Sequence, residues 1–172
     1  MRKPLQSLWL PLSLVVLVFV FIPLKSDAQN GWVNYPTPGG SAFHFANPNN
    51  GVLTGKYMYH RTTDGGNTWS SDSVPYPHQY NDYNSVFFIN GSTGWLGMSY
   101  VVQMFPVGIA GGCTYLTTDG GVTWGPCISA GPVRDLVFFN SSTGYAATGA
   151  IPGIFTEGSI VKTTNGGQNW NG

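Results

Sequence analysis

Charge is what this sequence has least of. Lysine, arginine, aspartate and glutamate make up 8% of its 172 residues, against about a quarter in ordinary globular domains. Past Ala28 the basic residues are Lys56, Arg61, Arg134 and Lys162. The acidic ones are Asp64, Asp72, Asp82, Asp119, Asp135 and Glu157, so four positive charges stand against six negative. No basic footprint for nucleic acid or anionic lipid can be assembled from so few cations. Glycine, serine, threonine and asparagine must supply the polar surface. Disorder is excluded from the other side, because 15% of the residues are aromatic and demand burial. Cysteine is nearly absent too, with Cys113 and Cys127 alone.

The longest apolar run is at the start. Arg2 and Lys3 precede Leu8 to Leu24, and Ser26-Asp27-Ala28 offers small residues where a leader would be cut. Residues 1–28 therefore read as a cleaved secretory signal, with cleavage after Ala28 and export to the periplasm, cell surface or medium. A retained membrane anchor is the competing reading, since the run is just long enough to span a bilayer. Pro11 and Pro23 suit such a helix poorly.

What is present in quantity is repetition. Thr62-Thr-Asp64-Gly-Gly66-Asn-Thr68-Trp69 returns as Thr117-Thr-Asp119-Gly-Gly121-Val-Thr123-Trp124. It returns again as Thr163-Thr-Asn165-Gly-Gly167-Gln-Asn-Trp170. Asp-Gly-Gly between strand-like flanks is a hairpin signal, because glycine supplies the positive φ such turns need. Asp64, Asp119 and Asn165 can accept backbone N–H bonds within their own turns. The three tryptophans give each hairpin an apolar anchor.

A second element precedes each turn. Phe45, Phe88 and Phe138 are each followed by asparagine two residues on (Asn47, Asn90, Asn140) and glycine six on (Gly51, Gly94, Gly144). Val86–Ile89 and Leu136–Phe139 are short continuous apolar runs, expected of strands buried on both faces. Each unit then holds four strands: the Phe strand, the Gly-aromatic strand, the Thr-Thr strand and a short strand holding the tryptophan. That is the composition of one propeller blade. The turns recur after 55 and 46 residues, close to the period of four-stranded blades. The expected fold is all-β, an incomplete β-propeller of about three antiparallel blades, with units near 44–82, 83–132 and 133–172. Trp32 marks a lone closing strand over 32–43. Three blades fall short of the four to eight that close a ring, so the sequence reads as a fragment of a longer protein.

Thr-x-Asp-Gly-Gly-x-Thr-Trp resembles the Asp-box, the bacterial neuraminidase repeat. Combined with the Phe and Gly-aromatic element, residues 32–172 are similar to the propeller family of photosystem II assembly and stability factors and their bacterial relatives. The resemblance implies that the boxes close the turn between strands three and four, on the face away from the functional one, and that Thr62, Asp64, Gly66, Thr68, Trp69 and their counterparts are structural. It also implies a place within a larger secreted or surface protein. Two mature arginines are too few for the basic patch of the photosystem factors, so no photosystem partner is expected. They are also too few for the arginine clamp of an Asp-box sialidase.

The cysteines flank the second turn, with Gly120 midway between them. In a hairpin centred there they stand opposite each other, within disulfide reach. The alternatives are two buried thiols or a metal site, which lacks a nearby histidine. The variable segments 70–84, 98–112 and 150–159 gather on the face opposite the Asp turns, where binding is expected. Tyr76, His78, Tyr80, Asp82 and Tyr83 form the candidate ligand face, able to hold a glycan or a peptide. The alternative is that the tyrosines cover a seam between blades. Tyr100, Gln103 and Phe105 are a second candidate lip, or a plain apolar insertion. His78 with Asp82 lacks a third metal ligand. No cofactor is called for. Asp72, Asp82, Asp135 and Glu157 sit in no catalytic motif, although a glycosidase needs only two carboxyl groups about 5–10 Å apart. The leading expectation is thus a non-catalytic protein- or glycan-binding or scaffolding module. The second is the N-terminal part of a secreted Asp-box glycoside hydrolase, sialidase-like or xyloglucanase-like. Asn90-Gly-Ser92 and Asn140-Ser-Ser142 match a glycosylation acceptor pattern that their turns explain equally well.

Overall fold

In the structure, a computed structural model, residues 37–74, 81–103, 109–149 and 157–172 are described. The leader, Trp32, Tyr76, His78, Tyr80 and Phe105 lie outside them. Among the described residues eleven strands form three antiparallel sheets. The first runs β1 (Ala42–Phe45), β2 (Gly51–Thr54), β3 (Tyr59–Thr62), β4 (Ser70–Asp72), paired in chain order. The second is β5 (Asn81–Phe88), β6 (Gly94–Gln103), β7 (Ile109–Thr117), β8 (Ile128–Ser129), again in order. The third pairs β9 (Val133–Phe138), β10 (Gly144–Thr148) and β11 (Ser159–Thr163). A single bridge from Lys162 to Asn171 stands where its fourth strand would be. These are up-and-down propeller blades. Among the described residues no helix is long and apolar enough to cross a membrane.

The two recurring sequence elements meet in the register. Phe45 pairs with Gly51, which pairs with Thr62. Phe88, Gly94 and Thr117 repeat that row, as do Phe138, Gly144 and Thr163. The glycine is required because the phenylalanine ring lies across it. A Cβ would stand 2.9 Å from the ring at Gly51, 2.5 Å at Gly94 and 2.6 Å at Gly144, closer than packed carbons approach. The asparagine two residues after each phenylalanine turns the chain. Asn47 Oδ1 accepts from the N–H groups of Asn49 and Asn50, Asn90 Oδ1 from Ser92 and Thr93, and Asn140 Oδ1 from Ser142 and Thr143.

Several expected boundaries move. The segment 98–112, read as a variable loop, is mostly strand: β6 and β7 stay paired from Gly94↔Thr117 out to Gln103↔Ile109. Its valines and small residues pair as readily as they loop. Ala42 and Phe43, left outside the first unit by the repeat boundary, open β1. Each tryptophan precedes the fourth strand, and none lies within it. The Cys113–Cys127 disulfide is present, with Cα atoms 5.5 Å apart. The cysteines are not register partners, however, since Cys113 pairs with Ser129. Pro126 has no N–H to donate, so the ladder starts only beyond it.

The blades stack face to face. Buried Val52, Tyr59, Tyr83, Val86, Phe88, Leu96, Met98, Cys113 and Tyr115 form the core of the first seam. Trp95, Ala130, Val133, Leu136, Phe138 and Ala146 form that of the second. In the second seam Trp95 stacks on Phe138 with centroids 3.5 Å apart and donates its Nε1–H to Gly166 O at 2.9 Å. Trp170 returns the contact, donating to Thr114 Oγ1 at 3.0 Å. In the first seam the smaller Val52 takes the place of Trp95, 3.2 Å from where a Gly121 Cβ would stand. Trp124 meets Tyr59 and Phe88 edge-on.

Candidate binding face

The turn residues satisfy one another. Thr62 Oγ1 donates to Asp64 Oδ1 (2.8 Å) and accepts from the Gly66 N–H (2.8 Å). Thr68 donates its N–H to Asp64 Oδ1 (2.9 Å) and its hydroxyl to Oδ2 (2.6 Å). Thr117, Asp119, Gly121 and Thr123 repeat the set, with an extra bond from the Val122 N–H. Gly65, Gly66, Gly120, Gly121, Gly166 and Gly167 all take positive φ, which is why the doublet recurs. These bonds, led by the threonine hydroxyl, hold the carboxyls of Asp64 and Asp119 down at about 2. In the third turn Thr163 Oγ1 donates to Asn165 Oδ1, and the Asn169 N–H does likewise. Asn169 has no hydroxyl for a third bond. With their oxygens engaged inside their own turns, Asp64 and Asp119 have little capacity left to handle a substrate.

The same blade end also carries the first connection of each sheet. The N–H groups of Gly65, Gly120 and Gly166 donate to Asn49, Ser92 and Ser142 carbonyls at 2.8–2.9 Å. The connections between strands two and three, and those between blades, therefore lie at the opposite end.

At that opposite end the first blade presents a fixed tip. Gly55-Lys56-Tyr57-Met58 joins β2 to β3, with the Gly55 N–H donating to Met58 O at 3.0 Å. The second blade holds this tip from the side. The Tyr57 N–H donates to Asn81 O (2.9 Å) and the Tyr83 N–H to Gly55 O (3.3 Å), which together make one antiparallel backbone bridge at Lys56 and Asp82. Tyr57 has φ 69°, the one non-glycine positive φ among the described residues. Its ring is exposed, with Lys56 Nζ 5.1 Å from the centroid. Beside the tip Asn81 is buried, and its Oδ1 has no hydrogen-bond partner.

Of the expected ligand residues, Asp82 is exposed in β5 next to this tip. Tyr83 is a correction: its ring is buried in the seam edge-on to Tyr59, with centroids 6.5 Å apart, and burial raises its pKa. Alternation along β5 sends Asp82 outward and Tyr83 inward. Tyr76, His78 and Tyr80 fall outside the described residues. Asp72 and Asp135 are exposed in β4 and β9, and Glu157 in the connection before β11. Among the described residues no three His, Cys, Asp or Glu side chains gather as metal ligands. His60 Nδ1 lies 2.7 Å from Ser71 Oγ, and burial lowers its pKa. Tyr57 escaped the sequence reading because the left-handed position of a tight turn usually announces itself as glycine or asparagine.

No family model matches the chain, and no curated protein matches it. Among solved structures it is similar to YCF48 bound to a D1 peptide, with a TM-score of 0.59 and 26% identity. The match covers 81% of this chain and 42% of that one. The fold is a β-propeller. The chain spans about two fifths of the length of that solved relative, and the relative carries a bound peptide.

Proposed function

We propose that this chain is a non-catalytic, exported β-propeller segment that binds an extended stretch of another protein at the end opposite the Asp-Gly-Gly turns. The observation that carries this is the Gly55–Met58 tip. A bulky residue in the left-handed region costs on the order of 1 kcal/mol, and such strain persists where surrounding bonds over-determine it. Here two backbone hydrogen bonds to the second blade do so, and they hold an aromatic ring in solvent. A rigid exposed tyrosine offers contact area at low entropic cost. The likeness to a peptide-bound propeller supports a protein ligand over a glycan. Export is supported by the leader and by a disulfide, which persists in oxidising compartments.

The test separates binding from stability by sign. Tyr57→Gly relieves the backbone and should stabilise the fold by about 1 kcal/mol. It should also weaken capture of peptides from a displayed library about tenfold or more. Unchanged capture by that variant would remove the site. Hydrolysis of a glycan lost on changing Asp82 or Glu157 would favour an enzyme. N-terminal sequencing of exported material should begin at Gln29.

A further inference from the structure

Each blade turns its first corner on an asparagine, and the three corners differ in the residue that follows. Asn47 is followed by Pro48, Asn140 by Ser141 and Asn90 by Gly91. In all three the side-chain oxygen accepts the N–H groups of the residues two and three further on. At Asn90 those donors are Ser92 at 2.9 Å and Thr93 at 2.7 Å, and the Ser92 hydroxyl adds another at 3.3 Å. Donors on a carbonyl oxygen favour attack at its carbon, because they stabilise the negative charge that attack puts on the oxygen. Asn90 and Gly91 are both exposed. Among the described residues neither the Asn90 Nδ2 nor the Gly91 N–H has a hydrogen-bond partner. The attacking nitrogen and the leaving nitrogen of this corner are both untied.

We infer that Asn90 is a site of self-modification, a deamidation site built into the first corner of the second blade. The Gly91 nitrogen gives up its proton to water and adds to the Asn90 Cγ. Nδ2 takes up a proton and leaves as ammonia, which closes a cyclic imide. Water then opens the imide at either carbonyl, leaving aspartate or isoaspartate, the second with its main chain lengthened by a methylene. Proline blocks the step at Asn47, having no N–H to give up, and the Ser141 side chain crowds it at Asn140. Two other Asn-Gly pairs at the same end of the blades are held. Gly51 is buried in β2 between Phe45 and Thr62, and the Asn50 Nδ2 donates to Asn47 Oδ1 at 3.1 Å. The Gly166 N–H donates to Ser142 O at 2.8 Å. Modification at Asn90 reaches past its own corner, because Ser92 O accepts the Gly120 N–H at 2.8 Å. Isoaspartate there shifts the oxygen away from Ser92 and Thr93 and loosens the tie to the Asp119 turn. The corner is a one-way timer on a single blade.

The folded full chain, aged in mildly alkaline buffer and mapped by mass spectrometry with fragmentation, should show deamidation at Asn90. The rate should rise with pH, since the Gly91 amide must lose its proton, while Asn50, Asn140 and Asn165 stay intact. In urea Asn50 and Asn165 should join it, because unfolding frees their glycines. Gly91→Ala is the clean variant: Gly91 takes no positive φ, and a Cβ there meets only Asn47 Nδ2, at an ordinary 3.5 Å. It should slow modification of Asn90 at least about tenfold, leave the circular dichroism unchanged, and keep the Gly120 amide protected from exchange in aged material. An Asn90 that stays intact in the folded chain would overturn the inference. So would equal modification of Asn50 and Asn165 while folded, which would mean that the dipeptide alone sets the rate. A glycan on the Asn90 Nδ2 of exported material would overturn it too, since the leaving nitrogen would be taken.

Discussion

The second and third blades start from nearly the same sequence pattern and end in different environments. Val86-Phe-Phe-Ile89 and Leu136-Val-Phe-Phe139 read alike, yet Val86 and Phe88 are buried while Phe87 and Ile89 still pack on the second core cluster. In the third blade Val137 and Phe139 face solvent. The difference comes from neighbours, since the second blade is flanked on both sides and the third on one. Local pattern sets the strand, and stacking decides which of its faces is core.

That contrast can be broken most forcefully at strand two. Trp95→Ala removes a buried stacked ring and a hydrogen bond, and should cost about 3–5 kcal/mol in urea unfolding. The counterpart Tyr145→Ala, half exposed, should cost about 1 kcal/mol or less. Equal losses would mean that the third blade is covered as fully as the second. Next comes the disulfide, which only the second blade has. Reducing a link that spans 14 residues should cost about 3 kcal/mol and should loosen β7 and β8 in hydrogen exchange before the other blades. The glycines beneath the phenylalanines give a smaller contrast. Gly94→Ala must displace Phe88 from a filled seam and should cost about 1–3 kcal/mol. Gly51→Ala should cost less, because Phe45 can swing toward solvent.

The smallest effect is one of pH. The hydrogen bonds from Thr68 and Thr123 lower the carboxyl pKa values of Asp64 and Asp119 from the ordinary 3.8 to about 2. The stability they add is therefore fully present above the unfolded value near 3.8 and is lost as pH falls through about 2. Asn165 does not titrate. Amide protection at Thr68 and Thr123 should fall across that window while protection at Asn169 holds. A parallel decline in all three would show global acid unfolding.

The sequence made the blade legible because its two recurring elements are local. Glycine doublets report positive φ, and the Phe-to-Gly spacing fixes a hairpin. The ends of strands without such markers were not legible. Nothing in Met98–Gly112 distinguishes long paired strands from a loop, and the β7–β8 register, with Cys113 opposite Ser129, centres on Gly121, one residue past the symmetry that the cysteine spacing suggested. Tyr83 follows the alternative reading, a tyrosine covering the seam, because a cluster of tyrosines and polar residues does not show which of them alternation turns inward. Tyr57 was invisible, since a non-glycine residue in a left-handed turn leaves no mark on the residue string.

The bonds from Gly65, Gly120 and Gly166 to the facing connection weld two crossings of each blade into one rigid cap. Lengthening either crossing there would have to undo that weld. Anyone grafting a foreign recognition segment onto this scaffold should therefore insert it between Gly149 and Glu157, and leave the asparagine-turned corners alone.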